Sequence, residues 1–165
     1  MNIVVAGCFG FIGKNICSYF AQRGHRVIGI YRSSIPVDKF DADNVAYVKC
    51  DLSIDFPVIG EFEVVINCAG NIDLRNVTSA NDVVLNMDKR IVSSLVSMIQ
   101  KFNPLAKLLH FGTVDEYGDL EGLLYEGISC RPMSIYGKSK LEATNYLLCK
   151  VSQDNLRAMI IRPVS

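Results

Sequence analysis

Residues 1–32 read MNIVVAGCFGFIGKNICSYFAQRGHRVIGIYR. Ile3 to Ala6 is an apolar run rich in β-branched residues, and it stops at Gly7. Glycines recur at Gly7, Gly10 and Gly13. Ile12, Ile16 and Phe20 then stand at i, i+4 and i+8, the spacing of one helix face. Arg23 and Gly24 supply the cation and the C′ glycine that close a helix. A second apolar run, Val27 to Tyr31, follows. Strand, glycine turn, helix and strand in that order make a βαβ unit. Gly7 lets the chain bend sharply, Gly10 leaves no side chain between the backbone and a pyrophosphate, and Gly13 lets the helix approach the sheet. The helix start, with Phe11 and Ile12 in its first turn, offers unpaired N–H groups and a partial positive charge to phosphate. The stretch predicts a phosphate-binding turn of the dinucleotide kind.

Outward from this unit, strands and helices keep alternating. Apolar runs predict strands over residues 45–49, 64–66, 105–111 and 156–161. Val84, Met87, Ile91, Leu95, Met98 and Phe102 mark one face of a helix over 80–102, which Pro104 ends. A further helix is predicted over 133–152. The alternation predicts one α/β domain over residues 1–165: a Rossmann-type, doubly wound, mostly parallel sheet with helices on both faces. Ligands of such sheets bind beyond the carboxyl ends of the strands. That rule singles out Gly7 to Gly13, Arg32, Asp51, Ala69-Gly70, Thr113, and Pro163-Val164, and the adjoining Tyr31, Ser33, Leu52 and Cys68 are expected to bind cofactor with them.

Composition narrows the function. Half of the residues are hydrophobic and 21% are charged, which suits a chain with a real core. The formal net charge is zero, so nucleic acid and anionic membrane have no electrostatic footprint here. No apolar run reaches membrane-spanning length, and the start of the chain lacks a basic leader, so a cytoplasmic location is expected. The six cysteines form no C-x-x-C pair and share no ligand spacing with His25 or His110, so reduced thiols and no metal are expected. Cys8 is read as a small residue filling the turn rather than a reactive thiol.

Tyr136-Gly137-Lys138-Ser139-Lys140 carries the strongest chemical signal. Tyr136 and Lys140 are four apart on a predicted helix and share a face. A phenol with its ordinary pKa near 10 is a poor acid–base group at neutral pH, and a neighbouring ammonium favours the phenolate. At ~4 Å and an effective dielectric of ~20 the attraction is about 4 kcal/mol, enough to lower the phenol by about one to three pH units. Such a tyrosine could take a proton from an alcohol as hydride leaves its carbon.

These pieces together resemble the extended short-chain dehydrogenases/reductases, the branch with the NAD(P)-dependent sugar-nucleotide epimerases, dehydratases and reductases. The matching residues are Gly7, Gly10 and Gly13, Asp51-Leu52, Thr113 ahead of Tyr117-Gly118, Tyr136 and Lys140, and Arg162-Pro163. The resemblance implies that Thr113 hydrogen-bonds the reacting oxygen and that Tyr136 is the acid–base. It implies that Lys140 lowers the Tyr136 pKa and holds the nicotinamide ribose. It also implies a nucleotide-sugar substrate, bound by a carboxyl-terminal part absent from these 165 residues. It further implies a homodimer through helices 80–102 and 133–152, whose apolar faces are equally compatible with core packing. Asn67-Cys68-Ala69-Gly70 departs from the His-x-Ala-Ala-like run of extended members and is closer to the smaller branch.

Two positions bear on cofactor and reaction. An acidic residue after the second strand would bond the ribose 2′-OH of NAD. Tyr31-Arg32-Ser33-Ser34 offers a cation and two hydroxyls instead, which predicts NADP(H), with NAD(H) as the alternative. Asp115 stands two residues after Thr113, where resembling dehydratases place a proton-abstracting carboxylate; a solvated acidic Asp115-Glu116 loop is the competing reading. A non-catalytic dinucleotide-binding sensor and a reductase of a small ketone are the alternative functions. Retention of Thr113, Tyr136 and Lys140 together argues against the sensor.

Overall fold

The computed structural model describes residues 1–37, 39–70, 82–119, 122–123 and 125–163. Among these residues six strands form one sheet: β1 (Asn2–Ala6), β2 (Arg26–Tyr31), β3 (Val45–Lys49), β4 (Val64–Asn67), β5 (Lys107–Phe111) and β6 (Arg157–Ile161). Their order is β3-β2-β1-β4-β5-β6, and every pairing is parallel. The helices are α1 (Phe11–Ala21), the single turn α2 (Asp82–Leu85), α3 (Met87–Phe102) and α4 (Ile135–Asp154). A 3₁₀ turn covers Val114–Glu116. The chain starts in the centre of the sheet with β1, builds outward to β3, then crosses back beside β1 with β4. This reversal makes the switch point where strand ends diverge and a cleft opens.

Alternation within β1 separates two cores. Ile3 and Val5 join Cys8, Cys17, Ala21, Val27 and Ile66 beneath α1. Val4 and Ala6 face the other way, into a larger core with Ile28, Ile30, Val65 and Leu108 that α3 and α4 cover. From α3, Ile91, Val92, Leu95, Val96, Met98 and Ile99 are all buried. At about 1.5–3 kcal/mol for each fully buried side chain, this face anchors the helix despite its polar outer surface.

The predicted elements are present with shifted edges. Residues 80 and 81, the predicted helix start, lie outside the described residues, and Asn86 interrupts the helix between α2 and α3. The α4 helix begins at Ile135 rather than Met133 because Ser134 caps it, its Oγ accepting from the Gly137 N–H at 2.9 Å. The α1 face needs a larger correction. Gly13, Cys17 and Ala21 form its buried line, whereas Ile12 is 37% exposed and Ile16 and Phe20 are half-buried. A helix held this close to the sheet puts its small residues inward and its bulky ones at the margins. The C-terminal end of α1 behaves as expected, with the Gly24 N–H on Ala21 O (2.9 Å) and the His25 N–H on Phe20 O (3.1 Å).

Candidate functional site

Backbone hydrogen bonds hold the turn between β1 and α1. Gly7 has φ +73°, donates to Ile30 O at 3.0 Å, and accepts from the Gly10 N–H at 3.0 Å. A Cβ on Gly7 would sit 2.8 Å from Ala69 N, and one on Gly13 would overlap the Gly7 carbonyl and approach Cys8 Cα to 2.9 Å. Gly10 is the extended residue before α1, and no side chain caps the helix start. Among the described residues no side chain occupies the first N–H groups of α1, the arrangement that receives phosphate.

A cleft of about 280 Å³ opens above this turn. Of the predicted cofactor residues, Gly7, Gly10, Tyr31, Arg32, Ser33, Asp51, Leu52, Cys68, Ala69 and Gly70 line it. Phe11, Ile12 and Gly13 do not; Phe11 is 82% exposed, and Gly13 is buried beneath the turn. Tyr136, Lys140 and Pro163 also lie off this cleft, and Val164 falls outside the described residues. Phe9, inside the selected span Gly7 to Gly13, lines it too, whereas Ile30, Cys50 and Ile91 are lining residues that the strand-end rule did not select. Cys50 adjoins Asp51 and was within reach of that rule. Ile91 comes from α3, and only the packing of that helix over the sheet brings it there.

Arg32 and Asp51 share one end of the cleft. Asp51 accepts from Ser53 Oγ (2.7 Å) and the Ser53 N–H (2.9 Å). Those bonds, with Arg32 nearby, hold its carboxyl below the usual range although partial burial opposes them. Cys8 and Cys68 lie at the floor of the turn and the strand ends, and burial pushes both thiols up to about 12. Cys8 is 1% exposed and fills the turn.

Beyond β5 and β6 the second group of predicted residues is assembled. Thr113 is buried, and its Oγ1 accepts from the Asp115 N–H at 3.3 Å. Glu116, which the competing reading placed in a solvated loop, is fully buried. Its Oε1 accepts from the Thr113 N–H (3.0 Å) and its Oε2 from Arg162 Nε (2.8 Å). Arg162 also donates to the Tyr117 hydroxyl at 3.1 Å. A charged side chain one place past the expected carboxylate thus ties the loop of Thr113 to the end of β6. Asp115 is half-buried on the same turn, and its carbonyl oxygen lies 2.5 Å from where a Cβ on Gly137 would stand, which seats the start of α4 against the turn.

On α4, Tyr136 is half-buried and Lys140 is 4% exposed. Lys140 Nζ donates to Phe111 O at 2.6 Å. Burial pulls this ammonium below its ordinary range, and Asp88, Glu116 and Cys68 oppose that pull. His110, one residue before Phe111, is wholly buried and pushed down to about 3, first by burial and then by Lys140 and Arg162. Asn67 Oδ1 accepts from the Ala69 N–H at 3.0 Å, so its amide nitrogen faces His110 Nδ1 at 2.9 Å. The neutral imidazole therefore accepts at Nδ1 and carries its proton on Nε2.

Residues 3–165 match the model of the NAD dependent epimerase/dehydratase family. The chain belongs to this family. A probable low-salt glycan biosynthesis reductase of Haloferax volcanii is 24% identical over 163 residues, covering 98% of this chain and 52% of that protein. A dTDP-6-deoxy-L-talose 4-dehydrogenase (NAD(P)(+)) of Kitasatospora kifunensis is 25% identical over 170 residues, with 98% and 51% covered. Among solved structures, UDP-glucuronic acid 4-epimerase from Bacillus cereus in complex with NAD superposes with a TM-score of 0.79 at 19% identity, covering 98% of this chain and 55% of that one. This member of the epimerase/dehydratase family thus spans about half the length of the relatives it matches. No helix among its described residues is long and apolar enough to cross a membrane, and no group of three or more His, Cys, Asp and Glu among them could hold a metal ion.

Proposed function

We propose that residues 1–165 are the NADP(H)-binding domain of an enzyme that oxidises, reduces, epimerises or dehydrates a nucleotide sugar. One observation carries the reading: an uncapped helix start, a glycine turn packed so closely that a Cβ on Gly7 or Gly13 would meet backbone, and a buried lysine stand along the carboxyl ends of one parallel sheet. The turn fits a pyrophosphate, because Gly10 on the cleft carries no side chain and the α1 start beside it has no side-chain cap. The cofactor, when bound, would supply or accept hydride. Arg32, Ser33 and Ser34 would hold its adenosine end, and Lys140 with Gly70 its nicotinamide ribose.

The protein's own groups handle the proton. Tyr136 gives or takes it at its phenolic oxygen, and Lys140, one turn along α4, supplies the positive charge that favours the phenolate. The Thr113 hydroxyl, fixed by the Asp115 N–H, orients the substrate oxygen. Asp115 is the base of a dehydration branch, so Asp115→Asn should stop dehydration in the whole protein while cofactor binding persists. The α3–α4 face forms a homodimer, which sedimentation at micromolar concentration would test.

Cofactor choice tests the reading on this chain alone. A guanidinium on a 2′-phosphate makes charge-assisted bonds worth about 1.5–3 kcal/mol, or roughly 10- to 100-fold in affinity. NADP(H) should therefore bind at least tenfold more tightly than NAD(H), and Arg32→Ser should erase the difference. Equal affinities in the unaltered chain would refute the NADP(H) assignment. Binding of neither dinucleotide would refute the whole proposal.

A further inference from the structure

An ammonium as deeply buried as Lys140 costs several kcal/mol unless a counter-charge and hydrogen bonds meet it. Its bond to Phe111 O is a bond to a neutral carbonyl. Two buried carboxylates lie on the elements around it, Glu116 and Asp88. Both oxygens of Glu116 are engaged, by the Thr113 N–H and by Arg162, and Arg162 balances its charge. Asp88, on α3, is 2% exposed. Its Oδ2 accepts from Ser139 Oγ, the neighbour of Lys140, at 2.8 Å. Its Oδ1 reaches toward Gly70: the point where a Gly70 Cβ would stand lies 3.2 Å from Asp88 Oδ1 and 3.5 Å from Lys140 Nζ. Carboxylate and ammonium thus converge on the one position where this chain has glycine and the resembling pattern has alanine.

We propose that Asp88 is the counter-charge of Lys140 and that Gly70 lacks a side chain to make room for it. Asp88 is then a positioning residue, which keeps the lysine charged and aimed at the end of β4. The two groups are not in direct ion-pair contact and face one another across position 70; the consequence for the cofactor rests on the dinucleotide reading. The other groups around Lys140 do not replace it. Cys68 is a thiol pushed up to about 12, at the end of β4. His110, on β5, is neutral at physiological pH, with its pKa pushed down to about 3. Tyr136 precedes Lys140 on α4, and Arg162 and Glu116 neutralise each other beyond β6 and β5. Of the charges that favour the ammonium, Asp88 acts most strongly, ahead of Glu116 and Cys68.

The test is the pH titration of the Lys140 side chain by NMR, in the free chain labelled at lysine, with Lys140→Arg to assign the signal. Asp88→Asn should lower the midpoint by about one to two pH units, the effect of losing an opposite charge in this range. Gly70→Ala, whose methyl intrudes on the carboxylate, should lower it in the same direction, and this variant decides the matter if Asp88→Asn does not fold. NADPH affinity should then fall ~tenfold per pH unit above the lowered midpoint in Asp88→Asn, while the unaltered chain stays flat over the same interval. A purely structural role would shift affinity in parallel at every pH. An unchanged Lys140 midpoint in the variants overturns the inference even if NADPH binds. A lowered midpoint in a chain that binds no dinucleotide leaves the pairing standing and removes the proposed function instead.

Discussion

Replacing Glu116 by Gln should be among the most damaging isosteric changes available to this protein. The carboxylate is wholly buried, and its bond to Arg162 Nε is 2.8 Å, with the arginine side chain 17% exposed. Gln keeps the shape and an oxygen for the Thr113 N–H, but it leaves the guanidinium without its counter-charge. Breaking a buried pair from one side costs about 3–5 kcal/mol. Arg162→Met strands the carboxylate and should cost a similar amount. The double variant should cost about 2–3 kcal/mol less than the two singles together, because the second change removes the charge that the first left unpaired. In urea, with a slope of about 2 kcal/mol per molar, each single change lowers the midpoint by roughly 1.5–2.5 M, read by far-ultraviolet circular dichroism at pH 7. Molar salt should alter these differences little, since a pair this dry is poorly screened. Single costs below ~1 kcal/mol, or strict additivity in the double variant, would refute the view that this pair anchors the Thr113 loop.

His110 makes stability acid-sensitive. Its folded value is about 3 against an ordinary 6.5, so the unfolded chain binds the proton first as pH falls. Stability is full above pH ~6.5 and declines below it, by up to about 1.4 kcal/mol per pH unit, until the folded imidazole also titrates. His110→Gln should flatten that slope, and an unchanged slope would show that other groups cause it. Gly13→Ala drives a methyl into the Gly7 carbonyl and should cost at least ~1–3 kcal/mol while weakening dinucleotide binding, measurable by thermal shift with and without NADPH. Thiol labelling at pH 8 should modify exposed Cys149 first and leave Cys17, buried and pushed up to about 12, unreacted; fast loss of Cys17 would show that the α1 packing opens readily.

Much of this architecture was legible in local pattern. Strand-length apolar runs, the glycines of residues 7–13 and the 3.6-residue rhythm of α3 report properties of neighbours along the chain. They suffice to call a parallel α/β sheet and its ligand edge. The Tyr136–Lys140 spacing is likewise a local fact, because four residues on a helix share a face wherever the helix goes. The inward face of α1 was not legible. Hydrophobicity favours Ile12, Ile16 and Phe20, but the close approach of helix to sheet selects Gly13, Cys17 and Ala21 instead, a choice that depends on interaxial distance.

The charges around the candidate site were hidden for a related reason. Asp88, Glu116, Lys140 and Arg162 come from four separate elements, and a carboxylate has the same appearance in sequence whether it meets water or an ammonium. The turn of residues 7–13 and the identity of its flanking strands follow from residue types and spacing, since sterics and periodicity act over a few residues. Which charges are buried, which of them balance, and why position 70 is glycine follow only from three-dimensional packing, because electrostatic pairing is set by distance through space.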